Sequence, residues 1–462
     1  MFKKIGLKDI QALKEIFEEN NVYDKNIEEE YAKDEMGTIV SFPEVRVVAH
    51  DKNEISSLMV YANQENIPVT VRGAGTGLVG GSVPVHGGIL LDLSQMNKII
   101  ELDKTNLTLT VQPGLMLLDI YDAIEKEGLF YAPDPGEKTA TIGGNIATNA
   151  GGMRAIKYGV TRDWVRGLEV VLPTGEIIKT GGKVVKNSTG YPLKELFVGT
   201  EGTLGIIVEV TLKLTSLPKF SASLLVPFVD AISAITAAPE LIKRHVTPTA
   251  VEYIDQTSLA YSNQFLGKHI PHDTHDAYLL LSYDGNTQEA LDDDIEQASK
   301  ICIELGALDV YLIDTAERKS SVWSVRGAFL EAIKASTTQM DEIDVVLPRS
   351  NIAEYLDFTK EVSKDLAIRI PYFGHVGDGN LHIYFCKDNL DDKTWQATLN
   401  KGFELMYQKA FKLGGLVSGE HGIGFAKKKY MVDLLGETQI NLMKGIKNVF
   451  DPKGILNPDK VI

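Results

Sequence analysis

Three glycine clusters between residues 45 and 215 constrain this chain more than any other feature. Gly73, Gly75, Gly77, Gly80 and Gly81 form the first; Gly143, Gly144, Gly151 and Gly152 the second; Gly199, Gly202 and Gly205 the third. Short apolar runs that read as strands lie around them: Val45-Arg46-Val47-Val48, Pro68-Val69-Thr70-Val71 and Leu107-Thr108-Leu109-Thr110-Val111. One glycine serves a turn. Three clusters in one folded segment point to backbone that approaches a large ligand closely.

The glycine-rich texture stops at Leu217-Pro218-Lys219-Phe220. Beyond it, strand-like runs such as Ala222-Ser223-Leu224-Leu225-Val226 alternate with helix-like stretches such as Gln288 to Ile303, an α+β pattern. The 462 residues exceed what one hydrophobic core usually supports, so at least two domains are expected. The predicted organisation is a helical arm over 1–35, a ligand-binding domain over 36–217, a second domain over 218–415 and a C-terminal segment over 416–462. The turn-rich end, Phe450 to Pro458, is expected to dock on a neighbouring surface.

Composition narrows the function classes. Apolar residues make up 44% and charged residues 24%, the balance of an ordinary soluble globular protein. A formal charge of −16 argues against nucleic-acid and anionic-membrane partners, which would be repelled. The two cysteines, Cys302 and Cys386, exclude a disulfide framework and a four-thiolate iron–sulfur cluster within this chain, and read as small core residues. Residues 7–20 carry helical charge alternation, not a signal peptide, and no run approaches the roughly 20 apolar residues of a membrane span. The simplest expected location is the cytoplasm.

Gly75-Thr76-Gly77-Leu78-Val79-Gly80 matches the dinucleotide fingerprint G-x-G-x-x-G. That fingerprint needs a helix opening at the second glycine. Here Gly81-Ser82-Val83-Pro84-Val85-His86-Gly87-Gly88 follows, and proline with paired glycines rules out a sustained helix. The loop can cradle phosphates through its N–H groups, with Arg72 adding a positive charge, outside any Rossmann unit.

Two polar islands near the C-terminal end carry chemistry: Gly374-His375-Val376-Gly377-Asp378-Gly379-Asn380-Leu381-His382 and Ser418-Gly419-Glu420-His421-Gly422-Ile423-Gly424. Three of the nine histidines sit in them. His375 and His382 are seven positions apart, which on an unbroken strand puts them on opposite faces. The intervening Asp-Gly-Asn must therefore turn or bulge to bring both imidazoles to one point. With Glu420 from a second loop they make two imidazoles and a carboxylate, a set that suits Fe2+, Zn2+ or Mn2+. On the residues alone the alternative stays open: a lone histidine is more often a satisfied core or surface group, and Glu420 beside His421 also reads as a surface pair.

These motifs resemble a known family. Val71 to Gly77, Ala140 to Asn145, Asn149 to Gly152 and Gly199 to Gly205 look like the FAD-binding domain of the vanillyl-alcohol oxidase / p-cresol methylhydroxylase (VAO/PCMH) flavoprotein superfamily. The two islands resemble its branch of D-lactate dehydrogenases, the D subunit of glycolate oxidase and D-2-hydroxyglutarate dehydrogenases. The resemblance runs from about residue 40 to 460 and implies an α+β, two-domain VAO/PCMH-type fold with an antiparallel-sheet cap domain. It implies FAD contacts from Arg72, Gly73, Ala74, Gly75, Thr76, Gly77 and Leu78 at the pyrophosphate. Pro135, Gly136, Thr141, Gly144, Asn145 and Gly152 would line the cofactor, Gly202, Gly205 and Ile207 would lie toward the adenine, and Asn457 would return to it from the tail. The pyrophosphate loop holds no histidine, so the FAD is expected to be non-covalent.

The resemblance also assigns His375, His382 and Glu420 to a divalent metal, His421 to the catalytic base and Arg326 to the substrate carboxylate, with His375 and His382 beside the substrate. It implies oxidation of a small D-2-hydroxy acid to the 2-oxo acid. Relatives acting on 2-hydroxyglutarate carry lysine at the position aligned with Glu342 and asparagine at Tyr384, so a dicarboxylate is disfavoured and lactate or glycolate favoured. The chain shows no NAD fingerprint or iron–sulfur ligand set, so a separate acceptor takes the electrons. The nearest resemblance is to lactate dehydrogenase subunits that work with an electron-transferring flavoprotein. The rival of another class is a non-catalytic FAD-containing scaffold protein, which would need none of His375, His382, Glu420 and His421.

Overall fold

The computed structural model describes residues 2–270 and 273–462. Its contacts divide the chain into two compact units: Met1–Gly151, Val160–Leu217 and Glu420–Ile462 form the first, Gly152–Gly159 and Pro218–Gly419 the second.

In the first unit, β1 (Val22–Tyr23), β2 (Val45–Val48), β3 (Val69–Arg72) and β4 (Ile89–Asp92) form a sheet in the order β1-β2-β4-β3. The three longer strands run parallel, because β2 leads into a helix, Lys52–Glu65, before β3. That helix is bounded by its own sequence. Asp51 accepts the N–H groups of Asn53 and Glu54, Glu54 returns a bond to the Asp51 N–H, and Asn66 ends the helix in the left-handed conformation at φ 56°. Its buried face, Ile55, Leu58, Met59 and Ala62, packs with Val47, Val69 and Leu91 of the sheet. Each of the larger side chains contributes about 1.5–3 kcal/mol of burial free energy.

The expected N-terminal arm is not separate. β1 pairs with β2, and Leu13 and Phe17 join the same core, because the apolar side of the helix Leu7–Ile16 has no other burial. The tail docks beside β3: Val69 donates to the Ile455 carbonyl at 2.8 Å and Asn457 donates to the Val69 carbonyl at 2.8 Å, extending the sheet. A second sheet of the first unit, antiparallel, contains β5 (Ile99–Asp103), β6 (Thr108–Val111), β8 (Val165–Val171), β9 (Ile177–Gly181) and β10 (Ile206–Lys213) in the order β5-β6-β10-β8-β9. A short pair, β7 (Leu129–Phe130) with β11 (Thr215–Ser216), forms a separate two-stranded sheet.

The second unit is built on a seven-stranded antiparallel sheet. Its strands are β12 (Phe220–Phe228), β13 (Ala250–Asp255), β14 (Ala277–Gly285), β15 (Tyr311–Ile313), β16 (Met340–Val346), β17 (Tyr372–His375) and β18 (Asn380–Cys386), in the order β15-β12-β14-β13-β17-β18-β16. Helices Ala231–Lys243, Gln256–Leu266, Gln288–Glu304, Ala316–Gly327, Phe329–Ala335, Ile352–Leu366 and Asp392–Lys412 connect or follow them. One core joins Leu225, Ile254, Leu280, Val325, Phe329, Phe373 and Tyr384. Residues 152–159, expected in the first domain, make their contacts in this second unit; Lys157 pairs with Asp284 at 2.6 Å.

Candidate active site

In the seven-stranded sheet the histidine hairpin, β17 with β18, lies between β13 and β16. β17 and β18 turn on each other over Val376–Gly379, with His375 opposite Asn380 and Phe373 opposite His382. Phe373 and His375 share a face as alternate residues of one strand, and His382, opposite Phe373, joins them. The odd spacing that an unbroken strand would have split is thus resolved by the turn. Gly379 makes the turn possible: its φ is 98°, and a Cβ there would lie 2.1 Å from the Leu347 carbonyl oxygen. The two imidazole Nε2 atoms face each other at 3.5 Å.

The flanking strands supply the partners. β13 places Glu252 opposite His375, and the Glu252 Oε1 lies 2.6 Å from His375 Nδ1. β16 places Glu342 two residues from Asp344, the residue opposite His382, and Glu342 Oε1 lies 3.1 Å from His382 Nδ1. Each imidazole therefore has a buried carboxylate behind Nδ1. With the N–H directed there, each Nε2 lone pair would be free for a cation at the common point. Arg326, on the helix Ala316–Gly327, donates from Nε at 2.8 Å and Nη2 at 2.6 Å to Glu252 Oε2, with its guanidinium carbon 4.5 Å from the Phe373 ring centroid. Burial pushes the Glu252 carboxyl up, but His375 and Arg326 outweigh it and hold it below the usual range.

Charge tests whether a cation fits. Among the described residues of the second unit, the buried acids are Glu252, Glu342 and Asp344, and the buried base is Arg326. Three carboxylates against one guanidinium, with two imidazoles converging, is an environment that a divalent cation would balance.

Asp344 serves the second island. It accepts from Asn380 Nδ2 at 2.7 Å, Ser418 Oγ at 2.6 Å and the Gly419 N–H at 3.1 Å. Leu416 meanwhile pairs with Val346 at the end of β16. Gly419 is the last residue of the second unit; Glu420 and His421 follow it in the first. There Glu420 lies over Gly151, where a Cβ would meet its Oε2 at 2.8 Å, and His421 Nε2 is 3.6 Å from Glu420 Oε1. Glu201 holds the far side of the island, accepting the N–H groups of Ile423 at 2.6 Å and Gly424 at 2.8 Å.

The residues expected at FAD divide into two groups. Gly73 packs on Thr141, whose Oγ1 a Cβ would meet at 2.3 Å, and Thr141 caps the helix Ile142–Thr148 through the Gly144 N–H. The buried Asn145 Nδ2 has no hydrogen-bond partner among the described residues, as a donor reserved for a ligand would. No helix opens at Gly77, and a Cβ there would meet nothing within 4 Å. This group fits a bound cofactor.

The second group is engaged internally. The Arg72 guanidinium donates to the carbonyls of Lys33 at 2.8 Å and Glu30 at 2.9 Å, so it frames the loop. The Asn457 side chain accepts from the Val71 N–H at 2.9 Å and donates to the Glu201 carbonyl at 3.0 Å, so it staples tail to sheet. Gly205 is required by packing, since a Cβ would lie 2.5 Å from Val170, and Ile207 is buried on β10.

Glu252, Asp344 and Glu201 are site residues that sequence reasoning did not single out. A signal was present for two of them. Glu252 interrupts the apolar run Ala-Val-Glu-Tyr-Ile, and Asp344 alternates with Glu342 on one face of an otherwise largely apolar strand. A carboxylate on the buried face of a strand needs a partner.

The family described as FAD linked oxidases, C-terminal domain, matches residues 217–461, and an FAD binding domain matches residues 43–181. A D-lactate dehydrogenase of Anaerostipes hadrus is 45% identical, covering 100% of this chain and 98% of the relative. The glycolate oxidase subunit GlcD of Bacillus subtilis is 38% identical over 93% of this chain and 91% of its own. A crystal structure of p-cresol methylhydroxylase with substrate bound superposes with a TM-score of 0.82 at 18% identity, covering 100% of this chain and 98% of that one, a likeness of fold. The chain belongs to the family of FAD-linked oxidoreductases that includes the D-lactate dehydrogenases and the GlcD component of glycolate oxidase.

Proposed function

We propose that the protein oxidises a small D-2-hydroxy acid, D-lactate before glycolate, to the 2-oxo acid, using non-covalent FAD and a divalent cation held by His375, His382 and Glu420. The observation that carries the metal part is the pair of Nε2 atoms 3.5 Å apart, each imidazole backed by a buried carboxylate. Glu420 follows directly on Gly419, which Asp344 anchors in the same sheet. Relatives bearing the names D-lactate dehydrogenase and glycolate oxidase subunit, at 45% and 38% identity, support the substrate class.

When bound, FAD supplies a two-electron acceptor and the cation a Lewis acid that lowers the pKa of a substrate hydroxyl. Arg326 pairs with the substrate carboxylate and fixes its orientation. His421 takes the hydroxyl proton as general base, and the α-hydrogen with its electron pair would pass to the bound FAD. Glu342, 4% exposed and 3.1 Å from His382 Nδ1, puts an acidic side chain where relatives acting on 2-hydroxyglutarate carry lysine, which favours lactate and glycolate over 2-hydroxyglutarate. Electrons leave to a separate partner, for which an electron-transferring flavoprotein is our choice.

Anaerobic addition of D-lactate to the yellow protein is expected to bleach the flavin band, with L-lactate and D-2-hydroxyglutarate far slower. A protein bleached fastest by the dicarboxylate would refute the assignment. Stopped-flow mixing of the reduced protein with an electron-transferring flavoprotein is expected to reoxidise it faster than oxygen does; equal rates would remove that partner.

A further inference from the structure

Glu252 is the point where two parts of the site meet. It sits on β13 with no exposed surface, directly opposite His375 in the strand register. One carboxylate oxygen holds His375 Nδ1, and the other takes both Nε and Nη2 of Arg326. A carboxylate is the one ordinary side chain able to accept from both neighbours at once, since both present N–H donors. An amide of the same shape accepts at one end and donates at the other. It would oppose either the guanidinium or the imidazole N–H.

The geometry also says what each partner is left to do. With its Nδ1–H given to Glu252, His375 turns the Nε2 lone pair toward Nε2 of His382. Arg326 has its Nε–Nη2 edge committed, and Phe373 lies against the guanidinium, so the Nη1–Nη2 end is the edge that remains for an anion. We propose that Glu252 is a positioning residue that sets metal affinity through His375 and substrate affinity through Arg326, coupling the two. This rests on the metal reading above and adds to it a residue that touches neither cation nor substrate. It separates the two histidines as well: Glu342 backs His382, whereas Glu252 is shared between His375 and the arginine.

The test is Glu252→Gln in the FAD-loaded protein, with Zn2+ affinity measured by competition against a chromophoric chelator. Zn2+ is expected to bind about 10–100-fold more weakly, as for other partners of metal-bound histidines. KM for D-lactate measured at saturating metal is expected to rise several-fold more than kcat falls, because Arg326 loses its fixed edge. FAD content and the melting midpoint serve as controls. A fall in stability with unchanged Zn2+ affinity and unchanged KM would mean that Glu252 only packs, and would overturn the proposal while leaving the metal site intact.

Should the glutamine variant fail to fold, the wild-type protein loaded with Co2+ decides. A His375 Nδ1–H donated to a buried carboxylate is expected as a hyperfine-shifted proton that exchanges slowly in D2O, and fast exchange there overturns the role. Wild-type protein that binds neither Zn2+ nor Co2+ overturns the metal reading itself, and this proposal with it.

Discussion

His421 and Glu420 are adjacent in the chain, with Nε2 to Oε1 at 3.6 Å, yet they are assigned different work. His421→Ala is expected to lower kcat by about 10²–10⁴-fold with FAD retained; steady-state rates and the flavin spectrum check this, and unchanged activity would return the scaffold reading to the front. The cysteines illustrate the opposite case, in which burial silences a side chain. Cys302 is pushed up to about 12 and Cys386 to about 11, in both cases by burial. Neither should react with iodoacetamide at pH 8 in the folded protein, and both should label in denaturant. The same thiols make stability pH-dependent. Once unfolded they lose protons from about pH 8.5 while the folded ones keep theirs. The unfolded state then binds fewer protons, and stability falls as pH rises from about 8.5 toward the folded values. Urea midpoints at pH 8 and pH 10 for wild type and for Cys302→Ala would show whether the loss is smaller in the variant.

At the scale of elements, the hairpin β17–β18 and the island after it make the site. Gly379 cannot carry a side chain without strain: positive φ and a carbonyl 2.1 Å from the Cβ position act together. Gly379→Ala is expected to cost about 1–3 kcal/mol in chemical denaturation and to weaken divalent-metal binding, because the turn places both imidazoles. Stability lost without any change in metal binding would separate the turn from the site. The second island is anchored at each end, Gly419 to Asp344 and Ile423-Gly424 to Glu201. Much of this was legible beforehand. Asp-Gly-Asn between two histidines announces a turn, and glycine with proline after Gly77 announces that no helix follows. The carboxylates behind the histidines were not legible as partners, because Glu252 and Glu342 lie 123 and 40 positions away from them in the chain. Strand register alone brings Glu252 opposite His375, and Glu342 to two residues from the position opposite His382.

At the scale of the molecule, the cofactor should act as a stabiliser. The loop from Arg72 to Leu78 holds no histidine to bond the flavin, so acid precipitation is expected to leave a colourless pellet and a yellow filtrate. Adding FAD back to apoprotein should raise the melting midpoint, by about 2.7 kcal/mol of stability at a hundredfold excess over Kd. A yellow pellet would show a covalent bond. No helix among the described residues is long and apolar enough to cross a membrane.

What the sequence determined by itself was the local vocabulary. Strand runs, glycine turns, the break near 217 and the two histidine islands are set by short-range sterics and by patterning, which need no knowledge of distant residues. Tertiary structure decided the pairings. It showed Arg72 and Asn457 satisfying backbone groups inside the first unit, and it gave each histidine a carboxylate from a different strand. The physical reason is that hydrogen-bond partnership and burial depend on which strands become neighbours, and the order β13-β17-β18-β16 is a property of the folded sheet that no stretch of the chain states on its own.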